Sequence, residues 1–508
     1  MSKGKLFAVC AVWLVILGIG VMAWKWFVVP SREQAQQKAD AENKKKILTE
    51  TGSDSRYDHV VNIAIDSFSG YAVLRSDEFA NELGTKRIKV NLVDDGADYT
   101  ARMNALKSGD IQMAVITVDA LIKGCDTLGS MPATIVAIID ETRGADAMVA
   151  FKTAVPNVDA LNHKDTKFIL TPNSPSETLT RVVQAHFNLN SLSAKPFVEV
   201  KDAEEVYKRY RNAKPDERQV FVLWEPYVSK VLENPNMHVV VDSSRFKGYI
   251  VDVIVVNRDY LFANKDIVTK VVESYFRANY YHREKMTELV LADSQKTGSP
   301  VTDLQAKSLV NGVWWKNTQE NYIHFGVDKG TKLQHIEDVI ANITKVLLKT
   351  GAITKDPTNG QPNLLYHPQI LASMQGGGFH PGVEKVRDDF TTLPPLTENQ
   401  WKNLQPVGTL EVPTLVFARG STTMTEQSQR SLDDLVKTLN NWPQYYLLIK
   451  GNASLDGDVE ANKNLAEARA KATQQYLIER GISQSRIKAS GEATGKTSVD
   501  FILGQLPY

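Results

Sequence analysis

Between residues 57 and 256 this 508-residue chain alternates short β-branched runs with helical stretches, and that alternation limits its fold more than any other feature. Residues 60–65, 88–93, 113–116 and 135–139 predict strands, with helices over 71–83 and 99–107 between them. A second set follows: strands over 167–170, 197–200, 220–223 and 238–241, with helices over 177–187 and 203–212. Strands that alternate with helices at this spacing predict βαβ units and an open, mostly parallel sheet. Extended apolar crossings near 140–148 and 247–253 would join the two sets. The expectation is therefore two α/β lobes with a cleft between them.

A chain of this length is expected to hold about three units. Its 59 basic and 59 acidic residues cancel, so composition gives no argument for a nucleic-acid partner. Two cysteines, Cys10 and Cys125, exclude a disulfide scaffold. Cys10 lies in an apolar segment, residues 6–24, flanked by Lys3, Lys5 and Lys25. That segment is long enough to span a bilayer and longer than most signal-peptide cores. Val21-Met22-Ala23 is a poor cleavage site, so a retained anchor is favoured over a cleaved signal. The segment has no Asp, Glu or His, which argues against a proton-driven stator.

Residues 31–43 are polar with no apolar face and read as a spacer. Residues 265–349 read as mostly helical, over 267–283, 304–310 and 331–348. Residues 351–404 are rich in Gly and Pro and read as a connector. The run Gly376-Gly377-Gly378 within it lacks the Lys-Ser/Thr of a phosphate loop. Beyond 412 the order is a strand at 414–417, a helix at 426–440 and a strand at 446–450. A helix at 465–480 closed by Gly481 follows, then strands at 487–490 and 499–503.

Three motifs carry a resemblance. The run 105–114 (ALKSGDIQMA), the crossing segment 138–146 (IIDETRGAD) and Trp224-Glu225-Pro226 are similar to elements of nitrate/sulfonate/taurine-type periplasmic binding proteins, in the family's order. The tail resembles an OmpA-like domain. Its loop Gly451-Asn452-Ala453-Ser454 and the later Asn462, Leu465 and Arg469-Ala470 follow the register of that family's peptidoglycan-binding pattern. The combination resembles the phosphate ABC transporter substrate-binding/OmpA family. The resemblance implies an α/β chain with an N-terminal transmembrane helix, a two-lobed type II periplasmic-binding-protein-like domain with a helical extension, and a C-terminal α+β OmpA-like domain. The expected units are a signal anchor at 1–27, a linker at 28–56, the solute-binding-like domain at 57–349, a connector at 350–406 and the OmpA-like domain at 407–508. It also implies a single-pass protein of a bacterial inner membrane, with a cytoplasmic N-terminus and periplasmic domains.

The cleft offers two sets of candidates. Ser67 and Ser69 follow the first strand, and Ser174 and Ser176 follow a second-lobe strand, each pair ahead of a helix. Free N–H groups and hydroxyls there suit a small polar or anionic solute, or the serines merely cap their helices. Thr117 ends a strand facing the cleft. Trp224 and Glu225 supply an apolar face and an acceptor, or else a packed ring and a solvated acid. Asp140, Glu141 and Asp252 fall at the crossings, where they would hold an amine or guanidinium or brace a hinge. Acids outnumber basic groups at these positions, which argues against bare phosphate.

In the tail, the resemblance makes Arg469 the carboxylate-binding residue, with Asn462 and Leu465 on the same rim. A guanidinium suits bidentate recognition of a stem-peptide carboxylate. Ser454 stands where the family has the Asp that binds an ammonium, and Asp456 is the residue near enough to replace it. Peptidoglycan is thus a conditional partner; a permease or other envelope proteins are further ones. No catalytic constellation, metal-ligand spacing or cofactor motif emerges. A scaffold with degenerate sites and an ABC-transporter receptor are the alternatives to a wall-contacting solute-binding protein.

Overall fold

Strand order shows how the two lobes are made. The computed structural model describes residues 56–506 apart from 188, 331–332, 388–392 and 411. In the first lobe, β1 (His59–Ile65) pairs in parallel with β2 (Ile88–Asp94) and β3 (Met113–Thr117). β4 (Ala133–Thr142) ends that lobe, and the chain crosses at once into β5 (Asp146–Phe151) of the second sheet. There β6 (Lys167–Leu170), β7 (Phe197–Glu199), β8 (Gln219–Trp224) and β9 (Met237–Asp242) repeat the pattern. A second crossing returns the chain as β10 (Val251–Asn257), antiparallel between β3 and β4. Each sheet therefore contains one strand delivered from the other side: the orders are β2-β1-β3-β10-β4 and β7-β6-β8-β5-β9. Helices cover both faces of such sheets, so β3, β4, β5 and β10 are buried along their whole lengths.

Local chemistry sets several boundaries. Ser76 accepts from the Phe79 N–H, and Asp77 and Glu78 follow in the first turn, so a helix starts at Asp77 rather than at 71. Residues Ser69–Tyr71 form a separate 3-10 turn. The helices Tyr99–Ser108 and Val118–Leu128 end on left-handed Gly109 and Gly129. The second of these, absent from the sequence reading, has Thr117 at its N-cap.

The helical extension does more than follow the lobes. β11 (Val313–Trp315) adds an edge strand to the first sheet beside β4. Helix Ile336–Lys349 packs on Val118–Leu128 of one lobe and on Pro175–His186 of the other. The expected connector is also largely folded. It contains a 3-10 turn Pro362–Leu365 and a helix Gln369–Gly376, whose Leu365, Ile370 and Leu371 are buried. The glycine run is the end of that helix, with Gly378 at φ +71°.

The C-terminal sheet has the order β12-β15-β13-β14, from β12 (Gln405–Thr409), β13 (Tyr446–Ala453), β14 (Ile487–Ala493) and β15 (Ser498–Gln505). The first strand expected at 414–417 is a correction: that stretch makes one isolated bridge, Phe417 to Met424, and β12 is the edge strand instead. Pro406 and Gly408 disguise β12, and both are tolerated because it lies at an edge with a register shift between them. Gly451 and Gly491 let helix Val459–Glu479 lie directly on β13 and β14. A Cβ at Gly451 would overlap the Ala466 carbonyl, and one at Gly491 would lie 2.8 Å from the Glu467 nitrogen.

The single-pass inner-membrane placement is corrected as well. Among the described residues no helix is long and apolar enough to cross a membrane. The segment 6–24, on which that expectation rested, lies outside the described residues.

Candidate functional site

Strand register assembles a row of polar side chains. Asp252 on β10 lies directly opposite Thr117 on β3 and Asp140 on β4, and Asp140 lies opposite Trp315 on β11. Directly opposed residues share one face of a sheet, so Thr117, Asp252 and Asp140 stand side by side. All three are at most 1 % exposed. The turn Ser69–Tyr71 lies over this row: Tyr71 donates to Asp252, and Trp315 Nε1 donates to the Gly70 carbonyl at 2.7 Å. Asp146, at the start of β5, adds another fully buried carboxyl.

Several of these groups lack partners. Apart from Asp252, nothing meets either oxygen of Asp140, and one oxygen of Asp146 and the hydroxyls of Thr117, Tyr275 and Ser176 have no partner. Burial, followed by the neighbouring Asp252, raises the Asp140 pKa well above the carboxylate range. Burial and then Asp252 and Glu225 do the same to Asp146. Asp252 itself is pushed up to about 7, by burial first; Tyr71 opposes this, while Asp66 and Asp119 add to it. The Tyr275 phenol is raised by burial and then by the charges of Asp140 and Asp252. Asp140 and Asp252 are within hydrogen-bonding reach of each other, so the two share a proton.

Nearby cations are committed elsewhere. Arg102 binds Asp95, Asp66 at 3.2 Å and the Val115 carbonyl. Lys316 binds Glu141 at 2.9 Å, and Gly248 N–H donates to the same carboxyl at 2.8 Å. Burial pushes Glu141 up, but Arg143 and Lys316 outweigh it and hold the carboxyl below its ordinary range. Lys123 lies 3.4 Å from Asp119 and 3.3 Å from Glu177, so it links the two lobes.

Of the residues expected at the cleft, Thr117, Asp140 and Asp252 come together. Glu141 instead braces the second crossing through Lys316 and Gly248. Glu225 accepts from Ser229 and, at 3.0 Å, from Ser308 of the extension, while Trp224 is half-buried at the end of β8. Ser67 is exposed and Ser69 opens the 3-10 turn, so neither caps a helix. Ser174 is the N-cap of Pro175–His186 but spends its hydroxyl on the Thr171 carbonyl. Glu177 occupies that helix start by accepting from Asn173 N–H. Ser176 is buried with its hydroxyl unpartnered. Asp146, Tyr71 and Tyr275 were missed; Asp146 stands six residues after Asp140 in the same crossing segment and was the one within view.

Two cavities are relevant. One of about 230 Å³ opens near the lobe seam, with Tyr99, Met103, Lys123 and Asn173 in its lining. Burial and then the charges of Asp66 and Asp252 raise the Tyr99 phenol. A larger one, about 750 Å³, lies at the junction with the C-terminal unit and is bordered by His186, Lys349 and Asp500. It gathers no comparable set of buried polar groups.

In the C-terminal loop, Ser454 donates to the Asp456 carboxylate at 3.2 Å and accepts from the Asp456 N–H at 3.0 Å. Asn462 closes the loop by donating to the carbonyls of Ser454 and Asp456. Arg469 donates to the Ser421 and Ala418 carbonyls and lies 5.0 Å from the Phe417 ring. Leu465 is half-buried on the same helix, one turn before Arg469. Ser454 has thus brought a carboxylate to itself.

Residues 416–500 match the OmpA family model. Peptidoglycan-associated lipoproteins of Rhizobium meliloti and Brucella melitensis are 34 % and 31 % identical over 74 residues, 15 % of this chain. The chain spans 42 % and 44 % of those relatives' lengths. Among solved structures, a putative periplasmic sulfonate-binding protein from Methylobacillus flagellatus aligns at 14 % identity and a TM-score of 0.47, over 65 % of this chain and 98 % of its own. The periplasmic nitrate-binding protein of Synechocystis aligns at 14 % and 0.45, over 62 % and 88 %. At such scores the two-lobed reading rests on the strand orders above. None of these relatives supports phosphate specificity, and the row of uncompensated acids opposes it.

Proposed function

We propose that this protein binds a small polar solute between its lobes and contacts peptidoglycan through its C-terminal domain. The observation that carries the solute reading is the register-paired row Thr117, Asp252 and Asp140, buried, in which the Thr117 hydroxyl has no partner and Asp140 has none but Asp252. Buried polar groups without partners cost folding free energy, so a chain that keeps several on one sheet face is explained by a partner that arrives later. Lobe closure over the solute would bring the seam together. A thermal-shift screen of the full chain against polar metabolites tests this.

For the wall contact, Arg469 would meet a stem-peptide carboxylate and Asp456, held by Ser454, would meet the ammonium. A charge-assisted contact contributes about 1.5–3 kcal/mol, so Asp456→Ala should weaken retention on purified peptidoglycan by roughly 10- to 150-fold. Arg469→Ala should weaken it at least as much. Equal retention of both variants and wild type would sink the wall-binding reading.

One observation favours a second reading, a scaffold with degenerate sites: helix Ile336–Lys349 bridges both lobes and resists their separation. A screen in which no solute shifts the melting temperature would favour it.

A further inference from the structure

We infer that the solute is a small organic cation, an ammonium or guanidinium, whose N–H groups are received by Asp140 and Asp252 together with the hydroxyl of Thr117. This rests on the solute reading above and narrows it. The site's polar inventory is almost wholly accepting. Carboxylates only accept, and a hydroxyl can accept from a ligand as readily as donate to it. An ammonium brings three donors and a guanidinium five, which matches Asp140 oxygens that meet nothing but Asp252 and a Thr117 hydroxyl that meets nothing.

The acids do not stand alone. Thr117 is 0 % exposed and faces Asp252 across the β3–β10 pair, and although it is an N-cap its hydroxyl caps nothing. A neutral, fully buried hydroxyl left idle in register with two carboxyls points to a ligand rather than to a salt-bridge network.

Other ligand classes fit less well. An anion would need a cation to meet it, yet Arg102, Lys316 and Lys123 already hold Asp66, Asp95, Glu141, Asp119 and Glu177. A divalent metal would need converging ligands, and among the described residues no group of three or more His, Cys, Asp or Glu side chains is placed to hold one. The acids do not line the seam cavity of about 230 Å³, so a ligand reaches them only if the lobes part.

The paired carboxyls keep a proton that a cation would displace. Binding should therefore release protons near pH 6, on the order of one per ligand. The test is calorimetry on the full chain at pH 6 in two buffers of different ionisation enthalpy, with agmatine and putrescine as probes. 1,4-Butanediol serves as the neutral isostere and inorganic phosphate as the anion. The expected result is binding of an amine with buffer-dependent heat, no binding of the diol or phosphate, and at least about tenfold weaker binding by Asp140→Asn and Asp252→Asn. The exposed Asp303→Asn should bind as wild type. Because Asn matches the size of the protonated carboxyl these variants should fold, and proton release by the wild type is read independently of them. Butanediol or phosphate binding as well as the amines, or amine binding without proton release, overturns the cation assignment while leaving the solute reading standing. If neither the amines nor any member of the wider metabolite screen binds, both fall.

Discussion

Asp252 faces two opposing demands: Tyr71 donates to it, yet it stands next to Asp140 in a site from which water is excluded. Its pKa near 7 lies above the value of about 3.9 expected in the unfolded chain. The native state therefore binds more protons than the unfolded one between those values. Its stability is fully present below about pH 4 and falls as pH rises toward 7, by up to about 4 kcal/mol. Asp252→Asn removes the titration while keeping an acceptor for Tyr71. The variant should melt above wild type at pH 8 and close to it at pH 4; an unchanged difference between the two pH values would falsify the assignment. At this scale the sequence was partly legible. Asp140, Asp252 and Thr117 sit at strand ends, which alternation locates. Tyr71 reaches Asp252 from a segment distant in the chain, and no local pattern points there. Glu141 has the same local signature as Asp140 but pairs with Lys316, which depends on how residue 316 returns beside β4.

Elements show the same division between local and long-range signals. Strands with β-branched runs were found near their observed limits, whereas β11 and β12 were not. β11 is a three-residue edge, and β12 carries Pro and Gly. The junction of the C-terminal unit was also invisible, because it depends on side chains from three separate segments. Trp442 packs with ring centroids 4.6 Å from His186, 5.4 Å from Phe187 and 5.3 Å from Phe246, and Lys247 N–H donates to the Asn441 carbonyl at 2.7 Å. Arg486 fixes this turn by donating to the carbonyls of Tyr445, Leu439 and Trp442. Burial lowers His186 to about 3, with Lys349 and Lys345 adding to the effect. The unfolded chain then binds the extra proton, so the contribution is whole above about pH 6.5 and is lost as pH falls toward 3, by about 2 kcal/mol at pH 5. Trp442→Ala should cost about 3–5 kcal/mol at any pH. Calorimetry should show the C-terminal unit melting separately in Trp442→Ala at pH 7.5, and wild type moving toward that behaviour at pH 5. A single unsplit transition for the variant would show that the aromatic cluster does not couple the units.

For the whole molecule, the second crossing carries several roles at once. The stretch from Ser243 to Ile250 links the two sheets, bonds Glu141 through Gly248 and docks the C-terminal domain through Phe246, Lys247 and Tyr249. Any parting of the lobes must bend this stretch or the shorter first crossing. Across the seam, Lys123 joins Asp119 to Glu177, and Arg181 ties the Glu177 helix to the Thr350 carbonyl of the extension. Burial pushes Glu177 up, but Lys123, Arg181 and the Asn173 N–H outweigh it and keep the carboxyl ionised. Removing Lys123 leaves Glu177 its Arg181 partner at 2.5 Å but leaves Asp119 without a cation. Breaking a buried pair costs about 3–5 kcal/mol, and the retained Arg181 contact places this case at the lower end. The Glu177 part of that cost falls on the closed arrangement alone, because Lys123 and Asp119 share one helix while Glu177 belongs to the other lobe. Lys123→Ala should therefore shift the lobes toward separation, giving a larger radius of gyration by solution scattering and faster amide exchange along β3 and β10. If the lobes are instead locked by helix Ile336–Lys349, the variant will lose stability with no change in radius or in the exchange of those strands, and a closing cleft ceases to be a workable mechanism for this chain.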